Sequence, residues 1–287
     1  MIPGSFDYHR PQSVSEAARM LDDLGDDAII VAGGHSLIPM MKLRMALPEN
    51  LIDIQDINDM KSISISGRDV TIGALVTQTE LINSAELQSV CPILRETSLQ
   101  IADPQIRNVG TIGGNVANGD PGNDLPALMQ ALDATYILVS NTGSRDVKAR
   151  SFYEAAYFTD RAENEILTTI KFTAPASGHG FSYMKQKRKI GDYATAAAAV
   201  LLTLKDGVVE AASIGLTNVS DTPLYAEQAS SMLVGSRLDD SAIKAAANAA
   251  KAIAEPAADG RGPRDFRIHV TGVMVERALR AALKSAN

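Results

Sequence analysis

The stretch Ala28-Ile29-Ile30-Val31-Ala32-Gly33-Gly34-His35-Ser36 decides how the rest of the chain is read. Its first five residues form a short apolar run that ends on glycine, the pattern of a buried strand. Gly33 and Gly34 permit positive φ and remove the Cβ atoms that would keep a ligand away from the backbone. Ser36 reads as the N-cap of a helix over Leu37 to Met45, where Leu37, Met40, Met41 and Met45 recur with helical spacing. A strand, a glycine turn and a helix N-terminus together aim unpaired N–H groups and a positive dipole end at one spot, which suits an anion. A tight turn without a ligand accounts for this one glycine pair equally well.

A second stretch shifts the balance. Val109-Gly110-Thr111-Ile112-Gly113-Gly114-Asn115 places three glycines within five residues, with a hydroxyl and an amide at its edges. So much glycine costs backbone entropy that a plain connection would avoid. Two such turns suit an extended anion held from both ends, such as the diphosphate of a dinucleotide. The chain contains neither G-x-G-x-x-G nor G-x-x-x-x-G-K-[ST], so the common nucleotide folds are disfavoured.

On these two stretches the chain resembles the FAD-carrying medium subunits of molybdenum hydroxylases, the family of xanthine dehydrogenase. Ala32-Gly33-Gly34-His35-Ser36 and Thr111-Ile112-Gly113-Gly114-Asn115 look like that family's two flavin-binding signatures. The words from Gly34 to Arg44 and from Ile106 to Gly110 are similar to its aerobic carbon monoxide dehydrogenase branch, and the likeness runs over nearly the whole chain. The resemblance implies an α+β, mixed α/β fold of the vanillyl-alcohol-oxidase FAD-binding type. It also implies a dimer of three-chain units. In that assembly a molybdenum-cofactor large subunit oxidises the substrate, an iron–sulfur small subunit passes electrons, and FAD on this chain hands them to an external acceptor such as a quinone. No catalytic residue of the chain's own is expected.

Composition agrees with that division of labour. A chain of 287 residues can bury roughly three quarters of its unfolded surface. A net charge of −7 gives a nucleic-acid role no electrostatic support. The longest uncharged apolar stretch, Ala194 to Leu204, is too short to span a membrane, and no cationic, apolar leader opens the sequence. A cytoplasmic location is expected, or one at the inner face of the membrane through the complex. One cysteine, Cys91, and four histidines cannot build an iron–sulfur cluster or a structural zinc site, so no metal is expected on this chain. Cys91 itself reads as a small structural residue.

Along the chain, Ser13-Val14-Ser15-Glu16 reads as a capping box before an amphipathic helix that stops at Gly25. With a strand at Leu51 to Ile54, residues 1–55 are predicted to form a β-α-β lobe with the glycine turn in its first crossover. Residues 56–177 read as an α+β lobe: a hairpin around Gly67, a capping box at Thr77 to Glu80, helices at Pro92 to Ile101 and from Leu125, and strands at Thr135 to Val139, Asp146 to Ala149 and Glu165 to Phe172. Residues 178–287 are predicted as a C-terminal lobe. Its long strands Ala194 to Leu204 and Val208 to Leu216 join at Lys205-Asp206-Gly207, followed by helices over Ala226 to Leu233, Ser241 to Ala254 and Val270 to Leu283.

Three further residues have both a ligand reading and a plain one. By resemblance, Asp124 matches the acidic residue that bonds FAD hydroxyls; alternatively it N-caps the Leu125 helix. Lys185 resembles a lysine near the flavin, where a fixed cation favours the reduced ring, or it belongs to the solvated basic run Lys185 to Lys189. Tyr193 resembles an aromatic lying against the isoalloxazine, or it is a strand-start tyrosine in the core. His35 is expected to shape the turn or touch phosphate, and His9, His179 and His269 to have surface or structural roles. Rival readings are a stand-alone flavoenzyme, which needs a general base over the ring, and a non-redox scaffold, which would be colourless.

Overall fold

The computed structural model describes residues 2–286; Met1 and Asn287, the outer ends of the first and last predicted lobes, lie outside the described residues. The fold is mixed α+β, built on three principal sheets. The first is a parallel sheet in the order Asp7–His9, Asn50–Asp53, Ala28–Val31. The Asp7–His9 strand, short and without an apolar alternation, is missed by periodicity. Its presence moves the first glycine stretch from the first crossover to the second.

Ser13 caps the Val14–Leu24 helix by accepting from the Glu16 N–H at 3.2 Å. The Glu16 carboxylate takes the N–H of Gln12 instead of Ser13, so this box closes one residue early. At Thr77 the capping box is complete, and the helix it starts is Gln78–Asn83.

The second sheet is antiparallel, ordered Ile63–Ser66, Asp69–Gly73, Ile166–Thr173, Thr135–Ser140, Gly143–Lys148. The third runs Gly180–Gln186, Ala196–Lys205, Val208–Thr217, Leu224–Tyr225, its central hairpin turning at Asp206 and Gly207 with φ of +52° and +73°. Helices Asp240–Ala252 and Arg264–Ser285 cover one face, where small residues such as Ala246, Ala247 and Ala250 meet Val270, Met274 and Ala278 in one core.

Between the second and third sheets runs the helix Asp124–Ala131, all eight of its residues buried. The Val208–Thr217 strand passes so close to it that a Cβ on Gly215 would strike the Ala127 carbonyl. That contact fixes the register of the helix, and so places Asp124 at its first turn.

Candidate functional site

The two glycine stretches meet. A Cβ on Gly33 would collide with the Val109 carbonyl and lie 2.9 Å from Gly110 Cα, so the first glycine is required by the second stretch and not by room for a ligand. Gly34 alone of the first pair adopts positive φ, at +71°. The backbone N–H groups of Gly33, Gly34, His35 and Ser36 donate to no acceptor among the described residues. Gly33 and Gly34 are half-buried and His35 and Ser36 exposed, so water can reach these donors, and four consecutive free N–H groups on a cavity wall make a concavity that suits an anion. The helix that follows, Leu37–Lys42, is shorter than expected and ends before Arg44, whose φ is +63°. Ser36 has αR backbone and makes no side-chain cap.

The second stretch is not a turn but a helix, Ile112–Ala117, N-capped by Thr111 Oγ1, which accepts from the Gly114 N–H at 3.0 Å. Its other leading donors are also used within the chain: Ile112 N–H to Val76 O and Gly113 N–H to Ala74 O, both at 2.8 Å. The glycines are there for packing, since a Cβ on Gly113 would sit 2.9 Å from Ala74 Cα. Gly114 differs: the one nearby atom is Thr111 Oγ1 at 3.0 Å.

A cavity of about 710 Å³ lies where these segments converge, within the usual size of cofactor sites. Its wall contains Ala32, Gly33, Gly34, His35, Ser36, Thr111, Gly113, Gly114, Asn115, Asp124, Lys185 and Tyr193. Ile112 is absent from the wall; its side chain is fully buried in the core. Asn115 Oδ1 accepts from Leu125 N–H at 3.3 Å and its carbonyl accepts from Asn123 Nδ2 at 2.8 Å, tying the second stretch to the Asp124 helix.

Asp124 is not a cap. It is the first helical residue, with Asn123 in the cap position, and its carboxylate faces Lys185 Nζ at 2.7 Å and the Tyr183 hydroxyl at 2.5 Å. Lys185 is not solvated either: its side chain is 1% exposed and also donates to Gln100 O at 3.1 Å. Burial pushes the Asp124 carboxyl up, against the opposing pull of the Lys185 ammonium and the Tyr183 hydroxyl. Burial and the Asp124 carboxylate push the Tyr183 phenol well up, so it stays protonated and donates. Tyr193 lies in the loop before the Ala196–Lys205 strand and is 42% exposed, so it is not a core residue.

Sequence reasoning passed over Tyr183 and Gln78. Gln78 is buried on the cavity wall, its Nε2 donating to Thr111 O at 3.2 Å and its Oε1 without a partner among the described residues. The Thr77 capping box located the helix, but no local signal says that its first residue faces a cavity. Among the described residues no cluster of His, Cys, Asp or Glu could hold a metal.

The residues present suit FAD. Four free N–H donors answer a diphosphate, the orphaned Gln78 Oε1 and the Asp124 carboxylate are acceptors for hydroxyl groups, and Lys185 with Tyr193 gives a cation and an aromatic face for a ring. Residues 4–175 match the family described as the FAD binding domain in molybdopterin dehydrogenase, and residues 181–282 the CO dehydrogenase flavoprotein C-terminal domain. The chain is 57% identical to the carbon monoxide dehydrogenase medium chain of Afipia carboxidovorans over 98% of both chains, and 48% identical to that of Hydrogenophaga pseudoflava over the same shares. It is 35% identical to the glyceraldehyde dehydrogenase medium chain of Sulfolobus acidocaldarius, over 98% of this chain and 99% of that one. The solved structure of reconstituted CO dehydrogenase from Oligotropha carboxidovorans superposes with a TM-score of 0.99, covering both chains fully. This chain belongs to the FAD-binding medium-chain family of the molybdopterin dehydrogenases and is the flavoprotein component of an oxidoreductase.

Proposed function

We propose that this chain is the medium subunit of an aerobic carbon monoxide dehydrogenase. In that reading it works with a molybdenum-bearing large chain, where CO is oxidised to CO2, and an iron–sulfur small chain that delivers the electrons, in a dimer of heterotrimers. The observation that carries the reading is the graded likeness: 57% and 48% identity to CO dehydrogenase medium chains against 35% to a relative named for an aldehyde. The scaffold itself does not choose the substrate, because medium chains named for carbon monoxide and for glyceraldehyde are both similar to it over nearly their full length. The final acceptor is proposed to be a quinone. No described helix is long and apolar enough to cross a membrane.

FAD, when bound, takes up electrons singly or in pairs and releases them likewise. The chain's own residues bind and tune it. The N–H groups of Gly33 to Ser36 hold the diphosphate, supported by the converging helix at Gly113 and Gly114. Asp124 accepts from a cofactor hydroxyl while its charge is balanced by Lys185. With Asp124 compensating its charge, Lys185 would offer a bound flavin the positive end of a buried ion pair, at low dielectric because its ammonium is buried. Tyr193 supplies the aromatic face. On a division into three lobes, 1–55, 56–177 and 178–287, each lobe would give one wall, because the Ala32–Ser36 stretch, the Thr111–Asp124 stretch and the Lys185–Tyr193 segment all line the cavity.

The reading is tested on the assembled complex purified from its source. CO added without oxygen is expected to bleach the visible flavin absorbance, and a quinone to restore it. Bleaching by an aldehyde or a heteroaromatic compound but not by CO would assign the complex another substrate.

A further inference from the structure

Tyr193 stands at the cavity wall with much of its surface open to solvent, so a core does not hold it. The backbone just after it is pinned. Ala194 O accepts from Asn218 Nδ2 at 2.5 Å and Thr195 O from Arg267 Nε at 3.3 Å. The Arg267 side chain is 4% exposed and also donates to Ala257 O at 2.7 Å, Asn218 O at 2.5 Å and the Asp259 carboxylate at 3.2 Å. Asp259 in turn receives the Arg261 backbone N–H at 2.7 Å and its guanidinium at 2.6 Å. A two-way backbone bridge between Asp259 and Gly262 closes this loop.

The result is a guanidinium held over the tyrosine. Arg261 Cζ lies 5.7 Å from the centroid of the Tyr193 ring, and Arg261 Nε is buried without a partner among the described residues. On another side the ring abuts Gly122, where a Cβ would sit 2.8 Å from the ring's Cδ1. Arg188 adds a strut, donating to Asp192 at 2.9 Å and to Gly260 O at 3.2 Å.

We propose that the loop 255–263 is a brace for Tyr193, and that Arg261 is a positioning residue that fixes where the ring stands against the bound flavin. The proposal rests on the reading above that Tyr193 faces FAD. A cation over an aromatic face favours one ring position; deprived of it, Tyr193 keeps the hydrogen bond of its hydroxyl to Asp120 but loses the contact that fixes its ring face, and its rotamer freedom rises. Arg267 and Asp259 act one step further back, by aiming Arg261.

The test uses the holo-complex and compares flavin fluorescence per bound FAD, since a phenol ring in contact with a flavin quenches its emission. Tyr193→Ala gives the unquenched reference. Arg261→Ala is expected to raise emission per bound FAD by about twofold or more towards that reference, and Arg261→Lys to retain most of the quenching. Gly122→Ala, which displaces the ring without touching Arg261, is expected to raise it as well. If Arg261→Ala matches the parent while Tyr193→Ala is bright, the brace is wrong and the flavin reading of Tyr193 stands. If Tyr193→Ala is as dim as the parent, the ring does not face FAD and both fail. Equal loss of FAD in Arg261→Ala and Arg261→Lys, with unchanged emission per bound FAD, would reduce Arg261 to a structural role.

Discussion

Lys185 and Asp124 are separated by a long stretch of chain yet bond at 2.7 Å with almost no solvent contact. Their residue types were legible through the family signatures, but their pairing was not, because nothing near either residue encodes the other. A buried ion pair is costly to break from one side. Lys185→Met is predicted to destabilise the protein by about 3–5 kcal/mol, and the double variant Lys185→Met with Asp124→Leu by much less, as read by urea unfolding. Glu165, also buried, shifts the opposite way to Asp124. Hydrogen bonds from the Arg145 guanidinium at 2.7 and 2.8 Å hold its carboxyl below the usual range. Stability from this group is present above the unfolded glutamate pKa of about 4.3 and is lost as pH falls through the lower folded value. The difference in Tm between the parent and Arg145→Gln is therefore expected to shrink as pH falls below that range. Cys91 is fully buried, its thiol pushed up to about 12, so at about pH 8 iodoacetamide is expected to modify it only after denaturation.

The glycine-rich elements repay comparison, because similar words do different work. In the first, positive φ at Gly34 and four free N–H groups make a cradle. The second has a threonine-capped helix whose leading donors are already taken, with Gly113 sunk against Ala74. Sequence alone marks both as glycine-rich and reads both as turns; which donors stay free depends on Ala74 and Val76 arriving from another strand end. Gly113→Val is predicted to destabilise the protein by about 1–3 kcal/mol or more through overpacking. Gly114→Val, with only Thr111 Oγ1 nearby, is predicted to leave Tm much closer to the parent while lowering the ratio of FAD to protein. Elsewhere, strongly patterned elements such as the Thr77 capping box and the Asp206-Gly207 hairpin follow their local signals. The Asp7–His9 strand does not, because its pairing is decided by the partner strand at Asn50–Asp53.

At the scale of the molecule, three sheets that share no strand bring the glycine cradle, the Asp124 helix and the Lys185–Tyr193 segment to one cavity. The family likeness anticipated that convergence; composition and periodicity did not, since they report on neighbours along the chain. The most direct test of the account is a solved structure of the FAD-loaded complex. It is expected to place diphosphate oxygens about 2.7–3.2 Å from the backbone nitrogens within Gly33 to Ser36. A diphosphate bound elsewhere, with those four N–H groups facing only water, would contradict it.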